Sequence, residues 1–204
     1  EEEVLAVVER VAGARRELRP RGALGYGRQW RVGPVTVLAD GRGAFGAAMG
    51  CHVEVSGDGC DQLGHVGLVE IYQELELRAS RVDVAVDGCP FTPHDIATAW
   101  RAGQVRTKVK VPKDARPDRQ WRSGEWMSSA TGDTAYLGSK RAARMARVYD
   151  RRDSGTRFEL QVRHKAAAAV AADLLDGEVG EGWSLRALGH VRAFVDFVDT
   201  SGAN

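Results

Sequence analysis

Hydrophobic and polar residues alternate along several short stretches of the chain, a pattern that predicts strands with one buried face. The clearest case is residues 157–163, where Phe158, Leu160 and Val162 fall on one face and charged or amide side chains on the other. Further strands are predicted for residues 26–30, 35–38, 51–56, 81–87, 104–111, 135–138 and 147–150. We expect these strands to form a mainly antiparallel central sheet.

Helices are predicted between the strands from apolar spacing and from residue propensity. They span residues 3–18, 67–77, 92–102, 140–147, 166–175 and 185–198. Residues 57–60 are predicted as a sharp turn and residues 112–129 as a polar loop. The whole pattern predicts an α+β fold, in which helices pack on the apolar face of the sheet and an acidic and basic face stays open.

The size and composition of the chain bound its organisation. With 204 residues, 43% of them hydrophobic, it can bury a full core, and we expect one catalytic domain over residues 1–204, cut from a longer protein. Its apolar runs fall far short of the about 20 residues that cross a membrane. Three cysteines without CxxC spacing suggest neither a disulfide framework nor a zinc knuckle. A reducing cytoplasm fits best.

The net charge of +1 conceals a strongly basic middle segment. Residues 101–165 contain 17 Lys and Arg against 7 Asp and Glu, whereas both flanks are acidic. Such a segment favours an anionic polymer as partner, because each cation that meets a phosphate releases counterions; a solvated basic surface is the alternative. Indole rings among cations could also stack on unpaired bases. The candidate DNA contacts are Lys108, Lys110, Trp121, Trp126, Lys140, Arg144 and Arg163.

Carboxylates occupy the polar faces of the predicted strands. Asp83 and Asp87 flank the small Ala85 on one strand face, where we expect them to lie near each other. Glu159 is a third candidate and Glu54 a fourth. Like charges on one face repel, and a divalent cation would remove that repulsion. Because hard ions prefer carboxylate oxygens, the pattern predicts a Mg²⁺ or Mn²⁺ site, with a purely structural role as the alternative.

Tyr149 lies ten residues before Glu159 and is the candidate nucleophile. A phenol with a pKa of about 10 reacts poorly at neutral pH, so a cation must favour the phenolate and withdraw charge from the attacked phosphate. Arg147 and Arg157 could stabilise the charge that develops on phosphorus. The product would be a 5′-phosphotyrosine linkage. Tyr136 is a competing nucleophile, although its apolar neighbours favour a packed strand residue.

Five short motifs follow one another along the chain: HVEVSGDGC at 52–60, RVDVAVD at 81–87, TAYLGS at 134–139, RVYD at 147–150 and RFELQVR at 157–163. Their succession, over about Tyr26 to Leu175, resembles the trans-acting replication initiation factor family, which includes rolling-circle plasmid initiators and related relaxases of integrative conjugative elements. The resemblance implies that Tyr149 is the nucleophile and that the strand acids bind the metal, most firmly Asp83 and Glu159.

The function expected from these features is site-specific nicking and joining of single DNA strands at a replication or transfer origin. The enzyme would be a rolling-circle initiator or a conjugative relaxase, with single-stranded or hairpin DNA as partner and a helicase as a further candidate. A non-catalytic DNA-binding module of the same fold is the alternative. Another alternative is a metal-dependent hydrolytic nuclease, which would cut DNA without forming a covalent adduct. A structural or protein-interaction domain is a further alternative, and it would require the charges of the basic segment to be dispersed in space. The oligomeric state stays open.

Overall fold

The computed structural model describes residues 1–43, 46, 48–107, 126–129, 132–139, 141–151, 155–175 and 182–197. These residues divide into two compact units, the first built mainly from Glu1–Arg78 and the second mainly from Ala79–Leu174 and the C-terminal elements. No helix in these ranges is long and apolar enough to cross a membrane.

The first unit contains a four-stranded antiparallel sheet and two helices. Its strands, in spatial order, are β1 (Arg16–Leu18), β2 (Tyr26–Val32), β3 (Val35–Gly41) and β4 (His52–Val55). The helices are α1 (Glu2–Ala12) and α2 (Gly57–Glu74). Leu5 and Val8 of α1, Ile71 of α2 and valines of β2 and β3 share one buried core. The apolar faces predicted for these segments therefore meet as expected for an amphipathic helix on a sheet.

Two boundaries in the first unit differ from the sequence prediction. Helix α1 ends at Ala12, because Gly13 adopts the left-handed conformation (φ 59°) and caps it. The predicted last helical turn is instead the strand Arg16–Leu18. Residues 57–60 are not a turn but the start of α2, where the Ser56 side chain accepts a hydrogen bond from the Gly59 amide at 3.2 Å.

The second unit contains a five-stranded antiparallel sheet. In chain order its strands are β5 (Arg81–Cys89), β7 (Trp126–Ser129), β8 (Gly132–Leu137), β9 (Arg144–Arg151) and β10 (Gly155–Arg163), and in space they follow the order β5, β10, β9, β8, β7. A separate pair joins β6 (Val105–Thr107) to β11 (Val195–Phe197). The helices are α3 (Pro93–Arg101), α4 (His164–Leu175) and α5 (Gly182–Phe194).

One face of the five-stranded sheet is apolar. The residues buried along it are Val84, Ala146, Val148, Phe158, Leu160 and Val162. Helix α3 packs against β8 and β9 and starts at a capping box, in which Thr92 and Asp95 bind each other's backbone amides. The predicted α+β class, with antiparallel sheets and accompanying helices, is confirmed.

The predicted helix over residues 140–147 is wrong. Arg144–Arg151 form β9, which is paired on one side with β8 and on the other with β10. Burial of Met145, Ala146 and Val148 in this strand outweighs the high helix propensity of alanine and arginine, because tertiary packing overrides local propensity. Two further boundaries change: Trp126–Ser129 form β7 rather than loop, and the last helix stops at Phe194 before β11.

Candidate active site

The register of β5, β10 and β9 brings the principal site residues onto one sheet face. Glu159 stands opposite Arg147 on one side and Ala85 on the other, and Arg157 stands opposite Tyr149. Directly opposed residues of antiparallel strands share a face, and residues two apart along a strand share it as well. Tyr149, Arg147, Arg157 and Glu159 therefore lie together on one face of the sheet.

Glu159 lies at the centre of this group and is only 4% exposed. A guanidinium nitrogen of Arg147 lies 2.7 Å from Oε1 and 2.8 Å from Oε2, and the Tyr149 hydroxyl donates a hydrogen bond to Oε2 at 3.2 Å. The contact at Oε1 is an ion pair without hydrogen-bond geometry, so within the described part of the chain Oε1 is a buried acceptor that lacks a donor. On this sheet face Glu159 is therefore buried, whereas most residues of the neighbouring strand β5 are exposed.

Arg147 also covers the ring of Tyr149. Its guanidinium carbon lies 5.2 Å from the ring centre, which is a cation–π distance. Burial alone would lower the pKa of Arg147, but the hydrogen bond to Glu159 and the nearby charges of Glu159, Tyr149 and Asp83 leave that pKa raised. A permanent positive charge therefore lies against the face of the candidate nucleophile.

A β-bulge in β5 lies opposite Arg157. The register shifts between Thr156 and Phe158, so that Asp87 and Gly88 together face the single residue Arg157. Gly88 adopts a positive φ of 66°, a conformation that side chains rarely accept. The bulge turns the Asp87 side chain toward the arginine.

Asp87 and Arg157 form a two-pronged ion pair. Oδ1 of Asp87 accepts from Nε at 2.6 Å and Oδ2 accepts from Nη2 at 2.5 Å. The hydrogen bond to Asp87 raises the pKa of Arg157 against the opposing effect of burial, and a weaker hydrogen-bond interaction with Tyr149 adds to it. The same pair lowers the pKa of Asp87. Arg157 is thereby held charged beside the phenol.

Asp83 lies on the same strand but not next to Asp87. The two are four residues apart, which along an extended strand is about 13 Å, so they are not the neighbours expected from the sequence. Asp83 accepts hydrogen bonds from Nε of Arg81 at 2.9 and 3.1 Å and from Gln161 at 3.5 Å. Its charge also acts on Arg147, which places it within electrostatic range of the Glu159 group.

The predicted metal ligands differ in how well they fit a divalent ion. Within the described ranges no three His, Cys, Asp or Glu side chains form a ready metal site. Asp83 and Glu159 fit a divalent ion, because both are carboxylates and both lie near the guanidinium of Arg147. In addition, Oε1 of Glu159 accepts no hydrogen bond within the described residues. Arginines bind both oxygens of each aspartate: the half-exposed Arg81 binds those of Asp83, and the more buried Arg157 binds those of Asp87. Glu54 is exposed on β4, in the other sheet.

The predicted DNA contacts are less concentrated. Arg163 continues the Glu159 face of β10 and is half-buried. Arg144 follows the alternation of Ala146 and Val148, so it lies on the apolar face, away from Tyr149. Trp126 begins β7. Lys108, Lys110, Trp121 and Lys140 lie outside the described residues.

Three contributors to the site were missed in the sequence. Arg151 places Nη1 3.5 Å from Oδ1 of Asp87, while Arg81 and Gln161 bind Asp83. The available signal was the period-2 pattern, since Arg151 continues the face of Tyr149 and Gln161 that of Glu159. Tyr136 stands opposite Arg147 on the same face and is half-buried, so alternation alone does not separate the two tyrosines.

Comparison with known proteins agrees with this architecture. The fold is that of a rolling-circle replication initiator. The chain is similar to the solved structure of the rolling circle replication initiator protein from Geobacillus stearothermophilus, with a TM-score of 0.70 and a sequence identity of 22%. The match covers 98% of this chain and 80% of that one. The model of the replication initiation factor family matches residues 78–202, and the chain belongs to this family. The matched range contains every candidate site residue except Glu54. Among curated proteins none matches the sequence.

Proposed function

We propose that this replication initiation factor cuts and rejoins one DNA strand at a replication or transfer origin by transesterification at Tyr149. The observation that carries the proposal is the hydrogen bond from the Tyr149 hydroxyl to the buried Glu159, between the guanidinium groups of Arg147 and Arg157. A phenol in such surroundings has both an acceptor for its proton and cations to stabilise its anion.

In this reaction the phenol oxygen of Tyr149 attacks the phosphorus of a phosphodiester. The new bond joins the tyrosine oxygen to the 5′-phosphate, and the bond between phosphorus and the 3′-oxygen breaks. The phenol proton passes to Oε2 of Glu159, which accepts its hydrogen bond, and the departing 3′-oxygen takes up a proton from water to become a hydroxyl. Because the linkage conserves the phosphodiester bond energy, attack by a 3′-hydroxyl reverses the step and rejoins the strand.

The arginines supply the positive charge that the transition state needs. Arg147 covers the tyrosine ring and neutralises Glu159, while Arg157 lies opposite Tyr149 and is held charged by Asp87. Pre-oriented guanidinium groups in a water-poor site stabilise developing charge on phosphate oxygens. A Mg²⁺ or Mn²⁺ ion held by Asp83 and Glu159 would withdraw further charge from the attacked phosphate.

The partner and setting follow from the same proposal. Single-stranded or hairpin DNA at an origin is the substrate, with the basic segment of residues 101–165 as the contact region and a helicase as a further partner. The host element would be a plasmid or a conjugative element, in which case the chain acts as a relaxase. The enzyme would work in the cytoplasm, with residues 1–204 as one catalytic domain.

A denaturing gel tests the proposal. The full chain is incubated with labelled single-stranded origin oligonucleotides and Mn²⁺, beside Tyr149→Phe and the matched control Tyr136→Phe. We expect a slow, protease-sensitive adduct with the wild type and with Tyr136→Phe, and none with Tyr149→Phe. Cutting that persists in Tyr149→Phe without an adduct would identify a hydrolytic nuclease instead.

A non-catalytic DNA-binding module of the same fold is the second candidate. One observation favours it: each strand acid of the site is paired with an arginine, Asp83 with Arg81, Asp87 with Arg157 and Glu159 with Arg147. Such pairing neutralises the carboxylates that a metal would need. Binding of origin oligonucleotides without cutting, with Mg²⁺ and with Mn²⁺, would establish this alternative.

A further inference from the structure

We infer that Asp87 is a positioning residue that orients Arg157 against Tyr149 and does not bind the metal. The inference rests on the proposed function, because it gives Arg157 a role in transesterification. It also gives the two aspartates of β5 different roles, because Asp83 then remains the candidate metal ligand on that strand. Three structural features support it: the bulge, the pairing geometry and the distance between the two acids.

The β-bulge is the first feature. A regular strand would place one residue opposite Arg157, whereas here Asp87 and Gly88 both face it. A Cβ added to Gly88 would meet no atom within 4 Å, so space does not require glycine there; its positive φ does. Bulges commonly re-aim a side chain beside an active site, and this one aims a carboxylate at Arg157.

The second feature is the pairing geometry between Asp87 and the guanidinium group of Arg157. Asp87 engages Nε and Nη2 of Arg157, one through each oxygen, so the N–H groups of Nη1 take no part in this pair. The Arg157 side chain is only 16% exposed, so the pair is more constrained than a surface salt bridge. Tyr149 lies directly opposite in the register. The forked ion pair therefore fixes the direction in which the remaining N–H groups of Arg157 point.

The third feature shows that Asp83 and Asp87 cannot hold the same metal ion. Asp83 and Glu159 both act on Arg147, whereas Asp87 lies about 13 Å along the strand from Asp83. A single divalent ion binds oxygens at about 2.0–2.6 Å and cannot bridge that separation. Asp83 is also held by a forked arginine contact, from Arg81, but the Arg81 side chain is half-exposed. Asp87 would instead have to release a mostly buried arginine.

The test compares Asp87→Asn with Asp83→Asn in the full chain by two measurements. Binding of Mn²⁺ is followed by the electron paramagnetic resonance signal of the unbound ion. We expect Asp83→Asn to weaken binding by at least 10-fold and Asp87→Asn to leave it within about twofold of the wild type. An equal loss in both variants would overturn the inference, because Asp87 would then be a ligand.

The second measurement is the rate of adduct formation in a double-mutant cycle with Arg157→Lys, since lysine cannot make the forked contact. Asp87→Asn and Arg157→Lys should each slow the reaction by about 10–100-fold, and the double variant should be no slower than the slower single variant. Rate losses that multiply in the double variant would show that the two residues act separately and would overturn the inference.

An arginine-selective NMR spectrum keeps this inference distinct from the proposed function. The Nε–H of a buried, forked arginine exchanges slowly, so the wild type should show an Arg157 signal that Asp87→Asn loses and Asp83→Asn keeps. If the wild type forms no adduct but shows this signal, transesterification fails while the pairing stands. If Asp87→Asn retains the signal, the positioning role fails whatever the activity.

Discussion

The Tyr149 hydroxyl donates a hydrogen bond to Oε2 of Glu159 at 3.2 Å, and Glu159 is almost fully buried. The two residues lie on neighbouring strands, β9 and β10, and Arg147 contacts both of them. This arrangement ties the candidate nucleophile to a carboxylate that cannot turn away without losing an ion pair.

Glu159→Gln should slow adduct formation by about 100-fold or more, because the amide is a weak proton acceptor and a poor ligand for a hard cation. The substitution also removes the ion pair of the half-buried Arg147, so the free energy of unfolding should fall by about 1–3 kcal/mol. Single-turnover kinetics and urea unfolding measure the two effects. Glu70→Gln, which removes an exposed partner of Arg10, is the control and should change neither appreciably. Wild-type kinetics in Glu159→Gln would count against this role.

Arg147→Lys should lower the rate of adduct formation by about 100-fold, the usual loss on removing one transition-state donor. Lysine keeps the charge but cannot contact Glu159 and cover the Tyr149 ring with the same planar group. Arg151→Lys is the matched control, because Arg151 lies on the same strand with a similar exposure but contacts Asp87, at 3.5 Å, rather than Glu159. An unchanged rate in Arg147→Lys would show that the charge alone is sufficient, and equal losses in the two variants would show that contact with Glu159 and Tyr149 gives Arg147 no special role.

The Asp87–Arg157 pair should make stability depend on pH in the acid range. The pKa of Asp87 is lowered in the folded protein from its ordinary value of 3.8, so the unfolded state binds more protons there. The pair's contribution is therefore present above that ordinary value and is lost as the pH falls through the lower, folded pKa. Urea unfolding between pH 5 and pH 2 should show a shallower loss for Asp87→Asn than for the wild type. Parallel curves would show that the pair contributes nothing.

Much of the site could be predicted because its signals are local. Alternation within residues 157–163 and 81–87 assigned Glu159 and the two aspartates to polar strand faces, and Thr92 followed by Pro93 marked the start of α3. These patterns depend on neighbours in the sequence, where period and capping chemistry act directly.

The contacts between side chains on different strands could not be predicted, because they depend on the register in which the strands pair. Asp87 and Arg157 are 70 residues apart in the chain, and their contact requires both the β5–β10 pairing and the bulge that shifts it. The strand at Arg144–Arg151 was missed for a related reason: its residues favour helix locally, and only pairing with two neighbouring strands decides against it. Tertiary context overrides propensity at such positions.

Thr92→Ala should destabilise the protein by about 1 kcal/mol, because the Thr92 hydroxyl caps α3 by accepting a hydrogen bond from the Asp95 amide at 3.2 Å. Helix α3 packs on β8 and β9, so the loss should appear in global unfolding rather than as local fraying. Thr98→Ala, at an exposed position in the same helix, should be neutral or slightly stabilising. Equal effects of the two substitutions would argue against the cap.

The most direct test of the account is to map the covalent adduct. After reaction with an origin oligonucleotide and nuclease digestion, trypsin would cut beside Arg147 and Arg151 and separate the Tyr149 peptide from the one containing Tyr136. We predict a phosphonucleotide on Tyr149, identified by mass spectrometry, and an unmodified Tyr136 peptide. A nucleotide on Tyr136, or cut DNA with no modified peptide, would contradict the assignment of Tyr149 as the nucleophile.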